Sequence, residues 1–122
     1  MNYLDIFDSA KVWIKYVHFL NRKYYKNDFL EIGAGIGSFT DEYRRNIKNI
    51  SLTEIDRNNL NILKKKYQND TNVTILESEV AKISQKFNTI CHFNVLEHVK
   101  EDKEEIINCL NKINKDGYLI IL

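Results

Sequence analysis

Residues 29–43 read FLEIGAGIGSFTDEY, and this stretch decides the fold. Three of the chain's four glycines, Gly33, Gly35 and Gly37, stand here at alternate positions, after an apolar run and before a segment with a helical pattern. Glycine lets a backbone turn tightly and lets a ligand lie against main-chain N–H groups, although a misplaced glycine costs roughly 0.5–1 kcal/mol. We therefore interpret residues 33–37 as a binding loop at the positive end of a helix that begins near Ser38. A plain strand-to-helix turn would not require three glycines.

Strand and helix patterns alternate along the rest of the chain. Short apolar runs predict strands at residues 28–32, 49–55, 72–76, 87–93 and 117–122. Helical patterns lie at residues 38–46, 57–69 and 100–115, and residues 77–86 are less regular. An amino-terminal helix over residues 8–26, capped by Asp8 or Ser9, places on one face Val12, Tyr16, Val17 and Leu20. This alternation predicts an α/β fold with a doubly wound parallel sheet in three layers, α-β-α.

Composition sets the class of protein. The 122 residues make one domain, and 43% hydrophobic content is enough for a core. The formal charge of +1 does not favour a nucleic-acid partner. Cys91 and Cys109 have no paired spacing, so we interpret them as structural thiols and expect neither a disulfide nor a metal site. No apolar run reaches the roughly 20 residues of a membrane span, and we expect a cytoplasmic protein.

The glycine spacing excludes two kinds of nucleotide site. A dinucleotide fold uses G-x-G-x-x-G, whereas residues 33–38 read GAGIGS. A phosphate-binding P-loop requires Gly-Lys followed by Ser or Thr, which the chain does not contain. These spacings argue against NAD and against ATP bound in that way.

The segment EIGAGIG, residues 31–37, resembles the first motif of the class I S-adenosylmethionine-dependent methyltransferases. The motif of that family is an acidic residue, an apolar residue and then G-x-G-x-G. The resemblance implies a Rossmann-like fold and S-adenosylmethionine as the cofactor. It also implies that the cofactor is held by Glu31, Gly33, Ala34, Gly35 and Gly37.

Two further acidic positions extend this resemblance. Family members hold the ribose hydroxyls with an acid at the end of strand two, where this chain reads LTEIDRNNL. The family spacing favours Glu54, followed by Ile55, and leaves Asp56 as a helix cap. After strand three, Glu79 and Val80 match the pair that meets the adenine amino group and ring, with Glu77 as the lesser candidate.

The segment FNVLEHV, residues 93–99, resembles the family most closely. In that subgroup the backbone after strand four borders the methionyl part of the cofactor, which implicates Phe93 and Asn94. His98 could act as a general base near neutral pH, or it could brace the loop beside Glu97. The resemblance is to a branch acting on small molecules and glycans. Alternatives are an RNA or protein methyltransferase, and a cofactor-binding or fold-only module without turnover.

The chain also departs from the family. Family members add an antiparallel hairpin after strand five, and their turn into that strand reads Pro-Gly-Gly where this chain reads NKDGY. We expect one domain over residues 1–122, with a helical segment at 1–27 and a core at 28–122 that is truncated after strand five. An exposed edge on that strand predicts self-association. The acceptor pocket would be largely missing.

Overall fold

A parallel sheet of five strands forms the centre of the protein. The computed structural model describes residues 3–93 and 102–122, with side chains from residue 10 onward. The strands are β1 (Phe29–Ile32), β2 (Ile50–Thr53), β3 (Val73–Leu76), β4 (Phe87–His92) and β5 (Ile113–Ile121). They pair in the order β3-β2-β1-β4-β5, all parallel. Every residue of β1 and β2 is buried, because both faces of the sheet are covered.

Helices cover the two faces of the sheet. They are α1 (Tyr3–Asn21), α2 (Thr40–Tyr43), α3 (Arg57–Lys66) and α4 (Asp102–Leu110). One core cluster joins the sheet to Val17, Tyr43 and Leu63 from α1, α2 and α3. The other joins it to Cys109 of α4 and to Val80 of a short 3-10 turn, Val80–Lys82. The predicted Rossmann-like, three-layer fold is confirmed. Within residues 3–93 and 102–122, no helix has the length and apolar character needed to cross a bilayer.

The amino-terminal helix differs from its prediction in two ways. It begins at Tyr3, so Asp8 and Ser9 lie inside the helix and do not cap it. Its packed face carries Val17 and His18, whereas Val12, Tyr16 and Leu20 are half-exposed or more. Trp13, on the same helix, is 49% exposed. The apolar pattern predicted the wrong buried face of α1, because the face that packs on the protein has a histidine at its centre.

Two boundaries also differ from the sequence prediction. The helix after the glycine loop is a single turn, Thr40–Tyr43, and does not begin at Ser38. The helix before β5 ends at Leu110, and β5 begins at Ile113, four residues before the predicted start at Gly117. Ile113 pairs with Phe87, and the register then shifts before Thr89 pairs with Tyr118. Pairing with β4 therefore overrides the helical pattern of residues 111–115.

Gly117 lies at this register shift and is closely surrounded. A Cβ at Gly117 would lie 2.6 Å from Ile113 Cγ2, 2.7 Å from the Asn88 carbonyl oxygen and 2.9 Å from the Asn114 carbonyl oxygen. Two of these neighbours are backbone atoms, which can yield only if the strand pair shifts. A glycine is therefore required at this position, because neighbouring atoms leave no room for a Cβ.

We expect Gly117→Ala to lower the free energy of unfolding by about 1–3 kcal/mol, as overpacking does in other cores. Urea unfolding followed by circular dichroism measures the change. Lys115→Ala, on the same strand but exposed, is the matched control and should stay near the wild type. A Gly117→Ala chain as stable as the control would contradict the close approach.

The segment after α1 packs on the Tyr118 side chain of β5. The Tyr24 ring lies 4.9 Å from the Tyr118 ring, and Lys26 Nζ lies 5.0 Å from the Tyr118 ring centre. Ile121 and Leu122 remain about two-fifths exposed. Self-association through this strand stays a prediction.

Candidate functional site

The sheet topology places a crevice beside β1. Its neighbours in sequence, β2 and β3, lie on one side, and β4 and β5 lie on the other. The direction in which successive strands are added across the sheet therefore reverses between β1 and β4. Ligands of open α/β sheets bind outside the carboxyl ends of the strands at such a point. The glycine loop follows β1 and Phe93 follows β4, so both lie at this point.

The glycine loop is fixed to the end of β2 by its own backbone. Gly33 N–H donates to Thr53 Oγ1 at 3.1 Å, and Ala34 N–H donates to the Thr53 carbonyl at 2.9 Å. Gly35 N–H donates to Glu54 Oε1 at 3.1 Å. Gly35 has φ of +62°, and a Cβ built on it would meet no heavy atom within 4 Å. The loop is thus held from one side and open on the other.

Gly37 closes the loop against α3. Its carbonyl accepts from the Tyr67 hydroxyl at 3.1 Å, and a Cβ on Gly37 would lie 2.3 Å from that hydroxyl oxygen. Tyr67 also donates to Asp41 Oδ1 at 2.7 Å. Sequence reasoning missed Tyr67 and Thr53, because neither contact has a signal in local spacing.

Glu54 and Asp56 have different roles at the end of β2. Glu54 is 8% exposed, and its Oε2 accepts from Ile55 N–H at 3.2 Å. Asp56 is exposed and accepts from Asn59 N–H at 2.9 Å as the cap of α3. The helix-cap interpretation of Asp56 is confirmed. Of the two acids, Glu54 contacts the glycine loop.

Apolar side chains next to these groups are left uncovered. Ile55 directly follows Glu54 and is 78% exposed, and Ile36 lies within the glycine loop and is 49% exposed. A buried charged group beside an exposed isoleucine suits a ligand with one polar and one flat apolar part. A cofactor role for Ile55 stays a prediction.

The residues after β3 offer less than their spacing predicts. Glu79 is exposed. Val80 is buried in the core cluster that includes Leu30 and Ile32, so only its backbone is left for a ligand. Glu77 lies 3.1 Å from Arg57 in an exposed ion pair, which gives it a surface role.

Phe93 lies in the core below the crevice. It is 4% exposed, and its ring stacks on Phe39 with the centres 4.5 Å apart. The predicted contact with a cofactor is therefore left to its backbone. Asn94 and His98, the other predicted residues of this segment, lie outside the described residues.

Glu31 is buried beneath the loop and is not open to the crevice. Its Oε1 accepts from Thr40 Oγ1 at 2.8 Å and from the Tyr43 hydroxyl. Burial raises the pKa of Glu31 to about 7, against the smaller lowering by these two hydrogen bonds. Glu31 joins β1 to α2, and direct contact with a cofactor stays a prediction.

His18 attaches α1 to the segment after the glycine loop. Nε2 lies 3.1 Å from the Phe39 carbonyl and Nδ1 lies 2.6 Å from the Tyr25 hydroxyl, so Nε2–H is assigned as the donor. Burial lowers the pKa of His18 to about 4, and the bond to Phe39 opposes this. The sequence has no local signal for this role of His18, since only the fold brings Phe39 to it.

Comparison with known proteins identifies the family. A sequence model described as a methyltransferase domain matches residues 7–122. The chain belongs to this methyltransferase domain family. The glycine loop, Glu54 and the crevice between β1 and β4 are thus features of a methyltransferase domain.

Curated relatives of this methyltransferase domain include two ribosomal RNA small subunit methyltransferases A. The protein from Wigglesworthia glossinidia brevipalpis is 32% identical over 85 residues, covering 68% of this chain and 32% of the relative. That from Pediococcus pentosaceus is 33% identical over 57 residues, covering 47% of this chain and 19% of the relative. The chain thus spans a third or less of the length of these relatives.

Solved structures share the fold at low identity. N-methyltransferase NodS from Bradyrhizobium japonicum, in complex with S-adenosyl-L-homocysteine, has a TM-score of 0.76 at 14% identity, covering 93% of this chain and 60% of that one. Coclaurine N-methyltransferase has a TM-score of 0.75 at 17% identity, covering 93% and 36%. The glycopeptide N-methyltransferase MtfA has a TM-score of 0.65 at 14% identity, covering 76% and 44%.

Proposed function

We propose that this chain is the cofactor-binding part of an S-adenosylmethionine-dependent methyltransferase acting on a small-molecule or glycan acceptor. The observation that carries the proposal is the open glycine turn at Gly35, whose amide is bonded to Glu54 at the switch point of the sheet. Membership of the methyltransferase domain family supports it. So do structural neighbours solved with S-adenosylhomocysteine or S-adenosylmethionine.

The residues present fit this cofactor. The open face of Gly35 gives room for the methionyl part to lie against the backbone. Glu54 has two carboxylate oxygens at the adjacent strand end and would accept from the ribose hydroxyls. Ile55 would contact the adenine ring, with Glu79 near the adenine amino group.

The chain's contribution to methyl transfer is positioning. The sulfonium of the bound cofactor supplies the reactive methyl group. Thr53 and Glu54 hold the glycine loop in place before any ligand binds, and His18 fixes α1 against Phe39 in the segment after the loop. Holding two reactants in line can supply about 7–11 kcal/mol of a barrier. A general base at His98 stays a prediction.

A second acceptor class has its own support. The curated relatives are ribosomal RNA methyltransferases, with 32% identity over 68% of this chain. Two of the structural neighbours are named for a glycopeptide and for coclaurine, but at 14–17% identity. The formal charge of +1 favours the small-molecule class, because the chain has no overall positive charge to attract RNA.

Calorimetric titration with S-adenosylhomocysteine tests the cofactor site. We expect saturable heat and a raised melting temperature, both lost in Gly35→Leu, whose side chain fills the open face of the loop. The melting curve of unliganded Gly35→Leu serves as the control for folding. Absence of both heat and thermal shift at millimolar ligand would refute the proposal.

Transfer assays then separate the acceptor classes. Radiolabelled methyl transfer to small amines and sugars would support the first class, and transfer to small-subunit ribosomal RNA the second. Cofactor binding without transfer to any of these acceptors would favour a module without turnover.

A further inference from the structure

Three potential metal ligands meet between β4 and α4. His92 is the last residue of β4, and Glu105 and Cys109 stand one turn apart on α4. His92 Nε2 lies 3.4 Å from Glu105 Oε1, and one ligand atom from each of the three residues lies within 4.8 Å of the others. Side chains alternate along a strand, so His92 faces the same side as Ile90, in the core cluster that contains Cys109. The cluster lies on the opposite face from α2.

His92 is a buried side chain with unused polar atoms. It is 1% exposed, and within the described part of the chain neither Nδ1 nor Nε2 has a hydrogen-bond partner. The approach of Glu105 lacks the geometry of a hydrogen bond. A buried polar group left unsatisfied costs roughly 1–3 kcal/mol. A ligand to the ring would remove that cost.

The surroundings of the cluster favour a cation. Glu105 places a carboxylate oxygen 3.4 Å from the His92 ring, and Cys109 adds a fully buried sulfur. An imidazole binds a metal through a ring nitrogen that carries no proton, and His92 has two buried ring nitrogens without a hydrogen-bond partner among the described residues.

We propose that His92, Glu105 and Cys109 form a zinc site that ties α4 to the carboxyl end of β4. One imidazole, one carboxylate and one thiolate match the ligands of Zn²⁺, whereas Mg²⁺ and Ca²⁺ prefer oxygen alone. Three protein ligands leave the fourth tetrahedral position for water. Spacing along the chain does not predict this site, because β4 and α4 supply its ligands from separate elements.

Only a small adjustment brings the ligands to the metal. Zinc binds at about 2.0–2.3 Å from N, O and S ligands, which places neighbouring ligand atoms roughly 3.3–3.8 Å apart in a tetrahedron. The His92–Glu105 pair is already at that spacing, at 3.4 Å. The Cys109 thiol must lose its proton on binding, because the thiolate is the form that binds zinc. Metal binding therefore releases a proton, and affinity should fall as the pH is lowered.

Titration of the full chain, prepared without a polyhistidine tag, with Co²⁺ alone tests the site. Cobalt reports on thiolate ligation through a charge-transfer band in the near ultraviolet, and Zn²⁺ should then displace it. We expect one equivalent of each ion, loss of the band on zinc addition, and a higher melting temperature with zinc. A wild-type chain that develops no thiolate band at one equivalent would overturn the proposal.

Matched variants locate the ligands. Glu105→Gln should weaken binding by at least about tenfold, since even outer-shell partners of metal ligands are worth about 10–100-fold. Glu104→Gln, one residue away and exposed, should bind like the wild type. Cys109→Ser should lose the thiolate band and Cys91→Ser, on the other face of the sheet, should keep it. Equal affinities in the two glutamate variants would also overturn the proposal, even if a cysteine variant failed to fold.

Discussion

Glu54→Gln is expected to weaken binding of S-adenosylhomocysteine by about ten- to a hundredfold. Hydrogen bonds to a charged group contribute roughly 1.5–3 kcal/mol, and a carboxylate can accept from two ribose hydroxyls while an amide presents one oxygen and one donor. The structure adds a second reason. Glu54 accepts from the Gly35 and Ile55 amides, so an NH₂ group in place of one oxygen would face a donor.

Asp56→Asn is the matched control for this experiment. It removes the neighbouring carboxylate, but asparagine caps helices about as well as aspartate, so α3 should be unaffected. Calorimetry on both variants, with melting curves of the unliganded proteins, separates a binding effect from a folding effect. Similar losses of affinity in the two variants, or a larger loss in Asp56→Asn, would contradict the assignment of the ribose contact to Glu54.

The sheet and the position of the glycine loop were predictable from sequence because both depend on local patterns. Short apolar runs predicted all five strands, and the glycines at alternate positions marked the turn after β1. The separation of Glu54 from Asp56 was also predictable, since a helix cap has a fixed place relative to the first turn. In each case the physical cause lies within a few residues of the feature.

Contacts between distant segments were not predictable in this way. The amide of Gly35 and the carboxylate of Glu54 are 19 residues apart, and Tyr67 reaches Gly37 across 30. The same limit explains the wrong buried face of α1, where His18 packs because its Nε2–H donates to the Phe39 carbonyl and its Nδ1 accepts from the Tyr25 hydroxyl. Residues 113–115 follow a helical pattern in the sequence, but in the structure they belong to β5, which pairs with β4.

Glu31 shows how a motif residue can serve the scaffold. The first-motif resemblance implied a cofactor contact, yet the carboxylate is 2% exposed and is bonded to Thr40 and Tyr43. Holding α2 in place beneath the glycine loop still supports the binding site, although indirectly. This placement has a consequence for stability that can be measured.

Glu31→Gln should gain stability relative to the wild type as the pH rises from 5 to 8. Burial raises the pKa of Glu31 from its ordinary 4.5 to about 7. Between these values the folded chain holds a proton that the unfolded chain has released, so wild-type stability falls as the pH rises through this window. Glutamine does not titrate. The difference between the pKa of Glu31 in the folded and in the unfolded chain corresponds to about 3 kcal/mol of stability, at about 1.4 kcal/mol per pKa unit.

Urea unfolding gives the free energy of unfolding of both proteins at pH 5 and at pH 8. The stability of Glu31→Gln relative to wild type is then compared between the two pH values. His18, whose pKa is lowered to about 4, acts in the opposite direction, because the unfolded chain binds its proton first as the pH falls below 6.5. That contribution is common to both proteins and cancels.

Glu42→Gln is the matched control. It lies on the exposed side of α2 and removes a carboxylate that is not part of the buried group of Glu31, Thr40 and Tyr43. If the stability difference between Glu31→Gln and wild type were the same at both pH values, Glu31 would be ionised in the folded chain at pH 5. Its hydrogen bonds from Thr40 and Tyr43 would then outweigh burial.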